Sequence, residues 1–253
     1  MKFLQKYPKR QNLYYLTLEK DDFEKAYLKV REQEGRLYSD EIVAQLPRLP
    51  QRHPHFKEWK MRQWNTERLL QYLQKKEAHS ILDLGCGNGW LTHQIANRTN
   101  SQVLGVDINS TELIQANRLF SNDNCQFAYC DIFQEGLPAK YFDIIILDSC
   151  VQYFPNLNQL INRLQKFLKS NGEIHILDSP FYDEKMVEKA RQRSQDYYLD
   201  RGEEKMKAHY FHHTWDALQQ NTYKIIYQPD TFKNWLARKL FGRGTPFPWI
   251  LIS

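Results

Sequence analysis

The chain has 253 residues with 42% hydrophobic and 26% charged side chains, the balance of a folded globular protein and not of a disordered one. Thirty-five basic residues against 30 acidic ones leave +5, too mild a charge for a dedicated nucleic-acid binder, and four cysteines without a CxxC pair argue against a disulfide framework or structural zinc. Apolar runs no longer than Ile144-Ile145-Ile146-Leu147 exclude a membrane-spanning helix, and the lysines and arginine in MKFLQKYPKRQ interrupt any signal-like stretch, so a cytoplasmic protein is expected.

In chain order, residues 1–78 read as a helical N-terminal cap broken at Pro47, Pro50 and Pro54. Residues 79–253 read as the core, with a helical lid inserted at about 181–220. The cap carries 17 basic and 11 acidic residues, residues 79–180 carry 6 and 10, and residues 181–253 carry 12 and 9. An acidic middle between basic flanks suits a cationic ligand, although solvated helix faces produce the same sums.

The middle has the clearest pattern. The apolar run Ser80–Leu84 ends in Gly85-Cys86-Gly87-Asn88-Gly89, and a helix is expected over Trp90–Arg98. A second strand, Val103–Val106, stops at Asp107. Asn109-Ser110 is an N-cap signal for a helix over Thr111–Phe120. A third strand, Gln126–Tyr129, stops at Asp131, and a fourth, Phe142–Leu147, is apolar throughout and so buried on both faces. Leu157, Leu160, Ile161, Leu164 and Leu168 share one face of a helix at about 156–169, which Ser170-Asn171-Gly172 ends. Strand Glu173–Leu177 follows. This alternation predicts an α/β fold with a Rossmann-like, doubly wound sheet, mostly parallel. Two later strands, Tyr223–Tyr227 and Phe247–Ile252, are joined by about 19 residues without a full crossover-helix pattern, which predicts an antiparallel terminal pair.

Glycines after the first strand let the chain turn sharply and let a ligand approach the backbone, and the helix start favours a negatively charged group. Asp107, ending the second strand, suits the two hydroxyls of a ribose. The dinucleotide fingerprint GxGxxG needs a small residue at position 90, and Trp90 stands there, which argues against NAD.

With an acidic residue two before the first glycine, the chain resembles the class I S-adenosylmethionine-dependent methyltransferases, in their small-molecule subgroup. The resemblance spans roughly residues 79–178. Its carriers are ILDLGCGNGW, VDIN, Asp131, FDIIILDSCVQYFPN and LQKFLKSNGEIHIL, in that order. It implies S-adenosyl-L-methionine as cofactor and S-adenosyl-L-homocysteine as product. It further implies that Asp83 orients the methionine end, with Gly85, Cys86 and Gly87 against the methionine and ribose. Asp107 takes the ribose hydroxyls and Ile108 packs on the adenine. Asp131 and Ile132 read the adenine edge, and the backbone near Leu147 and Asp148 closes the methionine side. Asp83 also has a plain reading as a polar strand end, and Asp107 and Asp131 as turn residues. Cys86 reads as a small loop residue, and Cys125 and Cys130 as buried packing.

The segment Leu147-Asp148-Ser149-Cys150 lacks both the Asn/Asp-Pro-Pro-aromatic motif of nucleic-acid amino methylation and the Pro-Cys of cytosine methylation. A magnesium-dependent catechol-type site would use Asp148 and Asp178, but Ser179 and Val151 stand where an Asn and a Lys are required, so no metal is expected. The acceptor is therefore expected to be a small molecule methylated on O, N or C. Alternatives are RNA or protein as acceptor, or a catalytically silent module that binds the cofactor. Within the lid, His209, His212 and His213 are the catalytic candidates, with structural or metal-binding roles as alternatives. Trp59, Arg62 and Trp64 either border the cofactor's carboxylate or pack on the sheet edge. The basic, aromatic stretch Arg238–Arg243 reads as a loop between strands or as a membrane contact. The sequence does not give the oligomeric state.

Overall fold

A computed structural model describes residues 1–19 and 21–253, with backbone alone at 21 and 22. In chain order the elements are β1 (Lys9–Arg10), β2 (Leu13–Tyr15), α1 (Asp21–Gln33), α2 (Asp40–Val43), α3 (Phe56–Leu73), β3 (Ser80–Leu84), α4 (Trp90–Arg98), β4 (Gln102–Asp107), α5 (Ser110–Phe120), β5 (Cys125–Tyr129), β6 (Phe142–Asp148), α6 (Leu157–Gln165), β7 (Leu168–Leu177), β8 (Phe181–Tyr182), α7 (Glu184–Leu199), β9 (His213–Thr214), β10 (Tyr223–Tyr227), α8 (Phe232–Phe241) and β11 (Trp249–Ile252).

The main sheet runs β1-β2-β5-β4-β3-β6-β7-β11-β10. From β2 to β7 its neighbours are parallel, and β11 enters antiparallel to β7 and pairs with β10. This is the doubly wound sheet with antiparallel terminal strands that the sequence predicts. The chain leaves β3 toward β4 on one side and later returns to β6 on the other. A crevice therefore opens at the carboxyl ends of β3 and β6, where such sheets bind ligands.

Alternation along the strands divides the core. Ile81, Val103, Phe127, Ile144 and Ile146 face one side, where Leu69 and Leu73 of α3, Ile95 of α4 and Leu113 of α5 cover them. Leu82, Leu104, Ala128, Ile145 and Leu147 face the other, under Leu157, Leu160, Ile161 and Leu164 of α6. Central strands buried on both faces need a helix on each side, which the sequence supplies in turn. A third cluster joins α1 to the segment after β7 through Ala26, Val30, Tyr198 and Met206. Gln33 Nε2 donates to the Arg201 carbonyl at 3.1 Å across the same contact.

Three expectations need correction. The first 78 residues are not helical throughout: β2 joins the sheet beside β5, pairing Tyr14 with Ala128 and Tyr15 with Tyr129, whose rings stack at 5.6 Å. Leu168 belongs to β7, not to the preceding helix. It pairs with Phe142, and the chain then bulges before Glu173 pairs with Ile144, with Asn171 at φ 64° in the bulge. Most of the stretch Arg238–Arg243 is not a loop, because Arg238–Phe241 belong to α8, a helix within the connection between β10 and β11. Its N-terminus is capped by the Thr231 hydroxyl and it ends at Gly242, which has φ 59°.

Candidate functional site

The loop after β3 is built from residues that only its geometry explains. Gly85, Gly87 and Gly89 all have positive φ, at 74°, 51° and 75°. A Cβ on Gly85 would lie 2.6 Å from Cys150 Cβ, so the loops after β3 and β6 touch at the sheet's switch point. The Cys150 thiol donates to the Leu84 carbonyl at 3.1 Å across that contact. Asp107 anchors the loop from the next strand: one oxygen accepts the Gly87 N–H, the other those of Ile108 and Asn109. Just after β6 and β7, Ser149 and Asp178 also hold left-handed conformations, φ 59° and 45°, a strain that non-glycine residues keep where the surroundings fix it.

Over these loops lies a cavity of about 350 Å³. Asp83, Gly85, Cys86, Gly87, Asp107, Ile108, Asp131, Ile132 and Asp148 all line it, so nearly the whole predicted set converges. Leu147 does not line it; its side chain is in the core beneath α6, because alternation along β6 turns it away. His209 lines the cavity, edge-on to Phe23 at 5.4 Å. The other two histidines do not. His213 is buried with Nε2 2.9 Å from the Val151 carbonyl, and His212 pairs with the Ser194 hydroxyl at 2.9 Å. Trp59 and Arg62 reach the cavity, whereas Trp64 packs on Tyr227 at 5.2 Å. Trp90 lies against Trp59 at 5.1 Å and forms part of the wall.

Several wall residues escaped the sequence reading. Phe23, Tyr27 and Arg31 come from α1, Glu58 from α3, Glu112 from α5 and Tyr153 from the turn after β6. For Glu112 a signal was present: it stands three residues after the N-cap Asn109, whose side chain accepts the Glu112 N–H and donates to its carboxylate. Nothing in α1 announces its position over the cleft, because that depends on a distant partner, the segment after β7.

The electrostatics divide the cavity. Burial, reinforced by the charge of Asp107 and opposed by a 2.6 Å hydrogen bond from Thr92, pushes the Asp83 carboxyl up to about 7. Burial likewise lifts Glu112 to about 7, against the pull of Arg31. Asp107 is raised by burial despite its three N–H donors. Asp148 and Asp178 are both raised by burial, and the charge of Asp178 lifts Asp148 further. Arg62 is the cation facing this pair, with Nη1 3.6 Å from Asp148. Asn65 and Thr245 donate to Asp178. These are carboxylates short of positive charge, so a cationic ligand is favoured there. The thiols of Cys86 and Cys150 are pushed well up by burial, which leaves neither as a nucleophile. Burial pushes Cys125 and Cys130 up to about 12, in keeping with packing roles. The Asp131 carboxylate accepts from the Phe133 N–H and the Gln134 amide while lining the cavity. Among the described residues, no group of three or more His, Cys, Asp or Glu is arranged to hold a metal ion.

A second chamber of about 380 Å³ adjoins the first and shares Arg31, Arg36, Glu58, Arg62, Ser149 and Tyr153 with it. Tyr197, Tyr198 and Tyr210 wall its far side. Arg36 grips Glu58 with both guanidinium nitrogens, and with Arg62 holds the Glu58 carboxyl down at about 2 against its burial. The Gln152 amide nitrogen donates to the Ser149 carbonyl, but its buried oxygen has no donor among the described residues.

The sequence profile of the family described as "Methyltransferase domain" matches residues 75–239, well over half of the chain. The chain belongs to the class I S-adenosylmethionine-dependent methyltransferases. S-adenosylmethionine is the cofactor of this family. This methyltransferase is 35% identical over 101 residues to the malonyl-[acyl-carrier protein] O-methyltransferase of Acetivibrio thermocellus, covering 40% of this chain and 35% of that protein. It is 26% identical over 117 residues to the 27-O-demethylrifamycin SV methyltransferase of Amycolatopsis mediterranei, covering 45% and 43% respectively. The chain thus spans less than half the length of these curated relatives. Its fold is similar to the geranyl diphosphate C-methyltransferase of Streptomyces coelicolor, with a TM-score of 0.55 and 17% identity over 80% of this chain and 86% of that one.

Proposed function

We propose that this methyltransferase moves the methyl group of S-adenosylmethionine to a nucleophilic O, N or C atom of a small molecule held in the second chamber. The observation that carries the reading is the junction of two unlike cavities. One is lined by buried carboxylates at the strand ends, and the other is walled by tyrosines and arginines. The cleft fits the cofactor. Its glycines turn the loop through left-handed conformations along the cleft, and its carboxylates suit a ligand with a sulfonium and an ammonium.

In this reading Asp83 and Asp148 face the methionine ammonium, and Asp107 accepts the ribose hydroxyls with lone pairs left beyond its backbone donors. Ile108 and Ile132 sandwich the adenine and Asp131 reads its edge. Gly85, Cys86 and Gly87 form the floor, while Arg62 or Arg36 meets the methionine carboxylate. When bound, the cofactor supplies an electrophilic methyl carbon beside a sulfonium. The chain's residues align the acceptor in line with it and exclude water, which accounts for much of the rate in such transfers. The acceptor would supply the attacking electron pair, a lone pair on O or N or a π or carbanion pair on C, and the cofactor would supply a sulfur leaving group that keeps the electrons of the C–S bond. Any proton the acceptor sheds goes to His209, placed in the wall, or to solvent. Residues 1–78 and 181–220 act as the two halves of the cap, which the packing of α1 against the segment after β7 supports.

The acceptor atom and a cytoplasmic location are part of this proposal. The latter draws support from four cysteines, all free and buried. The test is transfer from methyl-labelled S-adenosylmethionine into separated small-molecule, RNA and protein fractions of a cell extract. Label in the small-molecule fraction is expected. Label confined to RNA or protein would move the acceptor class, and no label or S-adenosylhomocysteine in any fraction would make the chain a silent binding module.

A further inference from the structure

Helix α8 leaves most of its large apolar side chains exposed to solvent. In α6, Leu157, Leu160, Ile161 and Leu164 point into the core and the polar residues point out. In α8 no residue is buried. Phe232, Leu240 and Phe241 are exposed by 75%, 64% and 66%, and Trp235 by 39%. Its half-buried side, Asn234, Leu236, Ala237 and Arg238, is tied by hydrogen bonds to the flanking parts of the same connection between β10 and β11. Asn234 donates to the Gln228 carbonyl at 2.7 Å, and Arg238 donates to the Thr245 carbonyl at 3.0 Å.

Apolar residues on a solvent-facing helix cost stability in water unless something covers them. Their charge surroundings are one-sided. Lys233, Lys239 and Arg243 are exposed on or just after the helix, and Lys239 lies over the Trp235 ring at 4.8 Å. At the C-terminal end, Lys60 of α3 approaches Gly242, its Nζ 4.0 Å from where a Cβ would stand. Asp230 is the one acidic residue between positions 228 and 246.

We propose that α8 docks this protein on an anionic lipid surface, lying in the plane of the headgroups. Phe232, Trp235, Leu240 and Phe241 would enter the acyl boundary, and Lys60, Lys233, Lys239 and Arg243 would meet the lipid phosphates. Ten residues make a helix of about 15 Å, far too short to span a bilayer but long enough to lie on one. Aromatic side chains flanked by cations are the pattern that the headgroup region favours. A protein partner is the poorer match, because protein interface cores are depleted in lysine, and here lysines interleave with the apolar residues. The proposal is independent of the acceptor's identity and of the cofactor site.

The experiment is sedimentation of the full chain with vesicles of phosphatidylcholine alone and of phosphatidylcholine with phosphatidylglycerol. Binding to the mixed vesicles, little binding to the neutral ones, and weakening by added salt are expected. Each of Lys233→Gln and Lys239→Gln should weaken binding about fivefold, and the triple change Phe232→Ser, Leu240→Ser, Phe241→Ser should abolish it. All these side chains are exposed, and an unchanged circular dichroism spectrum checks that the variants fold. Absence of wild-type binding to the mixed vesicles overturns the proposal, as does undiminished binding by the triple variant. A dimer in light scattering that the triple variant breaks, without vesicle binding, would make the face a contact between copies and also overturn it.

Discussion

The Asp107 carboxylate holds the Gly87 N–H at 2.9 Å, so the residue that ends β4 also sets the shape of the glycine loop that follows β3. One side chain thus serves as loop anchor and, in the proposed site, as ribose acceptor. Asp107→Ala removes both functions and orphans three backbone donors. Cofactor affinity should fall by about 10- to 100-fold, as expected for loss of charge-assisted hydrogen bonds. The chain should still fold, with a lowered Tm. Calorimetry beside a thermal melt measures both, and unchanged affinity would reduce Asp107 to a turn residue.

Two glycine substitutions separate space from backbone strain. Gly85 and Gly202 both have left-handed φ, at 74° and 67°. Nothing lies within 4 Å of a Cβ at Gly202, whereas one at Gly85 would strike Cys150 at 2.6 Å. Gly202→Ala should cost about 1–2 kcal/mol from the conformation alone. Gly85→Ala adds overlap in a packed site, for a total of about 3 kcal/mol or more. Urea denaturation of the two variants gives the comparison directly; equal losses would mean that the loops after β3 and β6 are not in contact.

The histidines should behave differently from one another. His209→Ala should lower turnover of an identified acceptor while cofactor affinity stays near the parent value, since only this imidazole lines the cavity. His213→Ala removes a buried hydrogen-bond partner of the Val151 carbonyl and should destabilise the fold by about 1–3 kcal/mol. His212→Ala should do little to either quantity. Steady-state kinetics on all three decides the matter, and equal effects on turnover would contradict the placement.

Binding should be linked to protons. Asp83 and Glu112, both raised to about 7 by burial, hold protons near neutrality. A cationic ligand favours their charged forms, so its binding releases protons and its affinity should rise as pH increases through about 6 to 8. The ligand-free protein shows the reverse. A carboxyl raised above its unfolded value contributes stability that is fully present at low pH and is lost as pH rises through the folded value. The gain in Tm on adding S-adenosylmethionine should therefore grow from pH 6 to pH 8. A flat difference would show that these carboxylates do not face the ligand's charge.

What the sequence discloses follows the range of the interactions. The loop from Asp83 to Gly89, the strand-end Asp107 and the N-cap Asn109 are local devices, and their spacing alone places them. The strand at Leu13–Tyr15 was hidden because three residues carry no period and their partner, β5, lies far along the chain. Leu168 continues the helical spacing of α6, yet a bulge draws it into β7. His212 and His213 share composition with His209 but not its position, since the fold of the segment after β7 turns one ring inward to the cleft and the others away. Tyr27 and Arg31 became wall residues only through the packing of α1 on Met206 and Tyr198.

Titration calorimetry of the full chain with S-adenosylhomocysteine and with NAD tests the central claim most directly. The account predicts one-to-one binding of S-adenosylhomocysteine, strongly weakened in Asp107→Ala, and no comparable heat with NAD, because Trp90 stands where the dinucleotide turn needs a small residue. Equal binding of NAD, or no binding of S-adenosylhomocysteine to folded protein, would contradict it.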